Sequence, residues 1–132
     1  MKYGSNANWH DLVGQTISSI SAPIGDAHIR ITTEQGGVEA DHVQDCCESV
    51  DLIRVDGDLD VLIGSKVELA EDDSGCNPPD WAEKEPSWAE SVTWTKLTLK
   101  TSAGEAVFWV RGASNGYYCE TLAIKKINGG SL

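Results

Sequence analysis

A chain of 132 residues with 40% hydrophobic and 23% charged residues can build one core and is too apolar for a disordered segment, so a single domain over 1–132 that folds without a cofactor is expected. The net charge of −11 argues against direct nucleic-acid binding, because affinity for phosphate backbones rests on Lys and Arg, and points to partners with basic surfaces. No apolar run reaches the roughly 18 residues of a spanning helix, and Met1 to Asn6 lack a signal-peptide core; a cytoplasmic protein with no membrane contact and reduced thiols is the expectation.

The charge is unevenly spread. Residues 39–60 hold eight acids and only Arg54, and residues 68–90 hold eight more and only Lys84, which leaves +3 on the remainder.

In chain order, residues 1–11 carry no periodic pattern and are expected to form a flexible N-terminus. Ile29 and Ile31 alternate with His28, Arg30 and Thr32 as a half-buried strand does. Cys46 and Cys47 are adjacent, and neighbouring side chains on a strand point to opposite faces, which disfavours pairing them with each other. Asp58 can cap a short helical piece, Leu59 to Ile63, that Gly64 ends. Val67 and Leu69 alternate with Glu68 and Ala70 as a second half-buried strand. Residues 73–90, marked by Ser74-Gly75, Pro78-Pro79 and Pro86, read as one long acidic loop with an echo, Pro79-Asp80-Trp81-Ala82-Glu83 and Pro86-Ser87-Trp88-Ala89-Glu90.

Between 91 and 100 the alternation slips, since Val92 and Trp94 share one parity and Leu97 and Leu99 the other; a bulge near Thr95-Lys96 is expected. Val107 to Val110 is apolar on both faces, as a covered central strand is. Asn115-Gly116 suits a two-residue type I′ hairpin, Leu122 and Ile124 alternate with Thr121, Ala123 and Lys125, and 127–132 read as a flexible tail. The fold expected is mainly β: a compact antiparallel domain, a curled sheet or small sandwich or barrel, with one short helix and a long acidic loop.

Asp45-Cys46-Cys47-Glu48, Gly57-Asp58-Leu59 with Leu62-Ile63-Gly64, Glu71, Trp94, and Ser114-Asn115-Gly116-Tyr117-Tyr118 followed by Glu120 accumulate in a distinctive order. On these strings residues 12–124 resemble an uncharacterised group of small proteins found largely in bacteriophage genomes. The resemblance implies phage origin and action in the host cytoplasm, and brings no substrate, cofactor or catalytic residue. Two positions depart from that pattern. Trp109 stands where the group has Arg, with Arg111 two residues on and therefore on the same strand face, and Cys119 stands where serine is usual, which argues against a required thiol ligand.

No metal is expected: Cys46, Cys47 and His42 lack the spacing of zinc sites. A Cys–His nucleophile built from them lacks an orienting motif. Asp56, Asp58 and Asp60 imitate the opening of a calcium loop, but Val61 and Val67 occupy the positions that need glycine and a bidentate glutamate. The chain is read as a non-catalytic binding protein. The first candidate surface comprises Asp72, Asp73, Asp80, Trp81, Glu83, Glu85, Trp88 and Glu90, an acidic Trp-bearing arm that engages a basic host protein, such as a defence protein, by stoichiometric inhibition; equally, the two rings of Trp81 and Trp88 can fold back to roof the core. The alternative is a site of Trp94, Trp109, Arg111, Asn115, Tyr117 and Tyr118 that sequesters a small nucleotide signal by stacking and charge pairing; the same residues also read, with more weight, as an aromatic core in which Arg111 pairs with an acid such as Glu120.

Overall fold

The computed structural model describes residues 6–42, 48–82, 91–114 and 122–127, Glu48 through its backbone alone. The expected Asn115-Gly116 hairpin, the cysteine pair and Asp45 lie outside the described residues. So do Glu83, Glu85, Trp88 and Glu90 of the proposed arm, and Tyr117, Tyr118, Cys119 and Glu120.

Among the described residues, eight strands form two four-stranded antiparallel sheets. The first has the order β1 (Ile17–Ser21), β2 (His28–Thr33), β3 (Gly36–Asp41), β8 (Ala123–Lys126). The second has the order β4 (Glu48–Asp56), β7 (Gly104–Ser114), β6 (Ser91–Thr101), β5 (Val67–Cys76). Ile29, Ile31, Val38, Ala40 and Ile124 of the first sheet join Val50, Leu52, Leu97, Leu99, Phe108 and Val110 of the second in one buried cluster. The apolar sets recur with period two on β2, β6 and β7, so each of these strands turns one face to the shared core. Trp9, Leu12 and Leu62 join that cluster from two short 3₁₀ turns, η1 (Trp9–Leu12) and η2 (Leu59–Leu62).

The order of elements repeats. Each half of the chain runs through one 3₁₀ turn and four strands, η1-β1-β2-β3-β4 and then η2-β5-β6-β7-β8. The fourth strands are exchanged: β4 pairs with β7, and β8 pairs with β3. Local details repeat as well. Gly14 and Gly64, each two residues past its 3₁₀ turn, both adopt φ +88, a conformation open to glycine. The two segments then meet as an antiparallel bridge between Thr16 and Lys66, flanked by Gly14 N–H to Val67 O (2.8 Å) and Gly64 N–H to Ile17 O (2.7 Å). The buried Thr33 and Thr101 each accept a backbone N–H at the turn that follows, from Gln35 (3.2 Å) and Ala103 (3.0 Å). This exchange ties the two sheets together through the backbone, so neither half has a complete sheet by itself.

η2 is the expected short helical piece, a 3₁₀ turn with Asp58 Oδ1 accepting the Asp60 N–H at 3.0 Å, and η1 is a second such turn. Four other expectations are corrected. Of the N-terminal segment, residues 6–11 are held in place, because Trp9 and Leu12 are fully buried and Asn6 N–H bonds Ile124 O at 3.0 Å, while residues 1–5 lie outside the described residues. The acidic loop begins later than Asp73, since β5 continues to Cys76. Finally, β6 is regular against β7 from Ser91 to Thr101, so there is no bulge at Thr95-Lys96; the irregularities lie on β5, at Glu68 and Gly75. The first of these also turns Ala70 into the core and leaves Leu69 half-buried, the reverse of simple alternation from Val67.

The outer faces of the two sheets differ. On the first, Glu39 accepts from His28 Nε2 (2.8 Å) and Arg30 Nη1 (3.1 Å), and Lys125 lies 3.6 Å from Asp41. The His28 bond, then Arg30, hold the Glu39 carboxyl below the usual range against the opposing effect of burial. It is a solvated, charge-paired face. The second sheet's outer face is aromatic.

Candidate ligand cleft

Because Leu97, Leu99, Phe108 and Val110 point inward, Trp94 and Lys96 of β6 and Trp109 and Arg111 of β7 must point outward. Strand pairing then lines up two rows across the sheet: Asp73, Lys96, Trp109, Arg54, and beside it Cys76, Trp94, Arg111, Asp51. Arg54 reaches this face because of a bulge. Val50 and Leu52 point into the core, and an unbroken alternation would send Arg54 there too; the extra residue Ile53 reverses the parity, placing Arg54 opposite Trp109.

Trp81 closes the face. A turn in which Ala82 N–H donates to Pro79 O (2.9 Å) brings the chain back over β6 and β7. The Trp81 ring stands edge-to-face on Trp94 (6.0 Å, 87°) and on Trp109 (5.7 Å, 88°). Each such contact contributes on the order of 0.5–1.5 kcal/mol beyond the area it buries. This explains why Trp94, though on an outer face, is only 3% exposed. The parity slip between 91 and 100 therefore marks a second, smaller apolar layer and not a distorted strand.

Cations border the rings. The Arg54 Cζ lies 4.8 Å from the Trp81 ring centre, and Lys96 Nζ lies 5.5 Å from that of Trp109. Asp56 fastens two of these groups: Arg54 Nε donates to its Oδ1 (2.6 Å) and Trp109 Nε1 to its Oδ2 (3.0 Å). The Arg54 bond foremost, with the Trp109 bond in support, keeps the Asp56 carboxyl below its ordinary range. Cys76 donates its S–H to Trp94 O at 3.5 Å, and burial together with the nearby Asp73 pushes its thiol up, away from the reactive thiolate.

Between these groups lies a cleft of about 350 Å³ lined by Ile53, Arg54, Trp81, Trp94 and Arg111. Its size falls at the lower end of small-ligand sites, and its lining has their usual make-up of aromatic walls with a few placed polar heads. Trp94, Trp109 and Arg111 of the expected nucleotide site are brought together here. So is Trp81, which was expected in a separate partner-binding arm; Asp72, Asp73 and Asp80 of that arm are exposed, Asp73 in the row that crosses Lys96 and Trp109. Arg54, Ile53 and Asp56 were not anticipated. Among the described residues no group of three or more His, Cys, Asp or Glu could hold a metal ion.

The repeat sharpens the choice of site. The strands of the second sheet run 10 and 11 residues in β5, β6 and β7, against 5 and 6 in β1, β2 and β3. The added length carries Cys76, Trp94 and Arg111, which lie beyond the stretches that match the described strands of the shorter half. Fold and site together define a small all-β protein of two exchanged four-strand units, one elaborated with an aromatic, arginine-bearing cleft. The chain belongs to the DUF7448 family, a domain of unknown function whose model matches residues 10–124 and so takes in both units. No curated protein and no solved structure matches the chain.

Proposed function

We propose that this protein is a non-catalytic binding protein that captures a nucleotide in the cleft between Trp81, Trp94, Arg54 and Arg111. The observation that carries this reading is the convergence of three indole rings and two guanidinium groups on one outer sheet face. Flat apolar walls suit a base, and guanidinium suits a phosphate. Among the described residues that line the cleft none is a nucleophile paired with a base, and the neighbouring Cys76 thiol is held away from its reactive form, which supports sequestration over turnover. In the setting implied by the resemblance to phage proteins, such a protein would act as a sponge for a host signal in the host cytoplasm.

The test is calorimetric titration of the full chain with adenosine and guanosine monophosphates, repeated on Trp81→Ala. Loss of a base-stacking ring should weaken binding by about 10- to 100-fold, the equivalent of ~1–3 kcal/mol. Unaltered affinity in Trp81→Ala would sink the assignment of this cleft.

One observation supports a second reading. Glu68, Glu71, Asp72 and Asp73 are all exposed on β5, an edge strand of the second sheet. Such acids could steer a basic host protein to the same end of the molecule. Trp81 lies folded onto the sheet, which favours the cleft over the arm.

A further inference from the structure

We infer that the ligand of this cleft carries a single negative charge beside its planar ring, in the manner of a cyclic nucleotide or other phosphodiester, and that Arg111 is the residue that reads it. The inference rests on the nucleotide reading above and specifies its ligand. The two arginines that line the cleft are unequal. Arg54 is committed: its guanidinium is bonded to Asp56 and lies over Trp81, so its charge is largely cancelled and it serves as a flat wall. Arg111 is uncommitted: half-buried on the cleft wall, it forms no ion pair among the described residues. Its cross-strand neighbour Asp51 instead accepts the Ser49 hydroxyl at 2.7 Å.

The surroundings limit how much anionic charge can enter. Arg54, Lys96 and Arg111 stand in the two rows with Asp51 and Asp73, and Asp56 adjoins them, so these three cations are matched by three acids on a molecule of net −11. One phosphodiester can pair with Arg111 at the cleft wall. A triphosphate would bring further charges against Asp51, Asp56 and the acidic edge strand with no second free guanidinium, and it would be repelled at long range as well.

The experiment titrates the full chain at low ionic strength with the 3′,5′-cyclic monophosphates of adenosine and guanosine and with the corresponding triphosphates. A cyclic form should bind at least about tenfold more tightly than its triphosphate. Arg111→Gln should lower the affinity for the cyclic form about 10- to 100-fold, the range for a lost charge-assisted bond, with Arg111→Lys between the two. Thermal unfolding of each variant, unchanged from the parent, separates ligand recognition from loss of the fold. Triphosphates binding as tightly as the cyclic forms, or Arg111→Gln binding like the parent, would overturn the inference and leave the nucleotide reading standing. Failure of every nucleotide to bind would overturn both.

Discussion

Gly37→Ala should destabilise the fold by about 3–5 kcal/mol, enough to unfold a substantial fraction of a domain whose total stability is on the order of 5–15 kcal/mol. Gly37 sits within β3 at φ +107, outside the region open to L-residues, and the backbone of β2 closes over it. A Cβ there would overlap the carbonyl oxygen of Ile31 and crowd Thr32 Cα at 3.1 Å. Neither neighbour can yield, since both are main-chain atoms of the paired strand. Gly14 and Gly64 supply the control. Both have positive φ, yet a Cβ at either would meet nothing within 4 Å. Their replacement by alanine should cost only the conformational penalty, about 1–2 kcal/mol. Urea unfolding of the three variants reads the difference directly; equal losses at all three would show that crowding at Gly37 is relieved by backbone movement.

Trp9→Ala should be comparably damaging. Trp9 is 1% exposed, stands edge-on to Phe108 with ring centres 5.8 Å apart, and donates its indole N–H to Thr98 O at 2.9 Å. It joins η1 to the second sheet through both faces of its chemistry. Truncation removes a buried aromatic ring at about 3–5 kcal/mol and takes a partner from a carbonyl. Trp9→Phe keeps most of the apolar contact and should lose roughly half as much, so the two midpoints in denaturant separate packing from the hydrogen bond. A loss under about 1 kcal/mol for Trp9→Ala would mean that η1 frays without consequence for the core.

Much of the scaffold could be read from periodicity, because one-sided burial writes itself into alternate residues. Ile29 and Ile31, Phe108 and Val110, and Leu122 and Ile124 all took the burial that their spacing implies. Asp58 announced its 3₁₀ turn through its capping oxygen. The site was harder to read for a definite reason: it depends on two reversals of parity. Ile53 flips Arg54 outward, and the outer face of β6 has its own apolar cover in Trp81, so the run from Val92 to Leu99 looks like one distorted strand when it is a regular strand with two different apolar neighbours. Arg54 had one visible signal, as the lone base among the acids of residues 39–60. The repeat was also legible in part. Leu12-Val13-Gly14 parallels Leu62-Ile63-Gly64, and Thr33-Glu34-Gln35-Gly36 parallels Thr101-Ser102-Ala103-Gly104. The exchange of fourth strands was not, since no local pattern records which sheet a strand will join.

Indole N–H resonances distinguish a ligand in the cleft from one bound to the core or to the acidic edge alone. In a protein labelled with ¹⁵N at tryptophan, with peaks assigned by single Trp→Phe variants, addition of a cyclic mononucleotide should move the signals of Trp81, Trp94 and Trp109 and leave that of the buried Trp9 in place. A spectrum in which the three cleft indoles stay fixed at saturating nucleotide would show that the ligand does not enter the cleft.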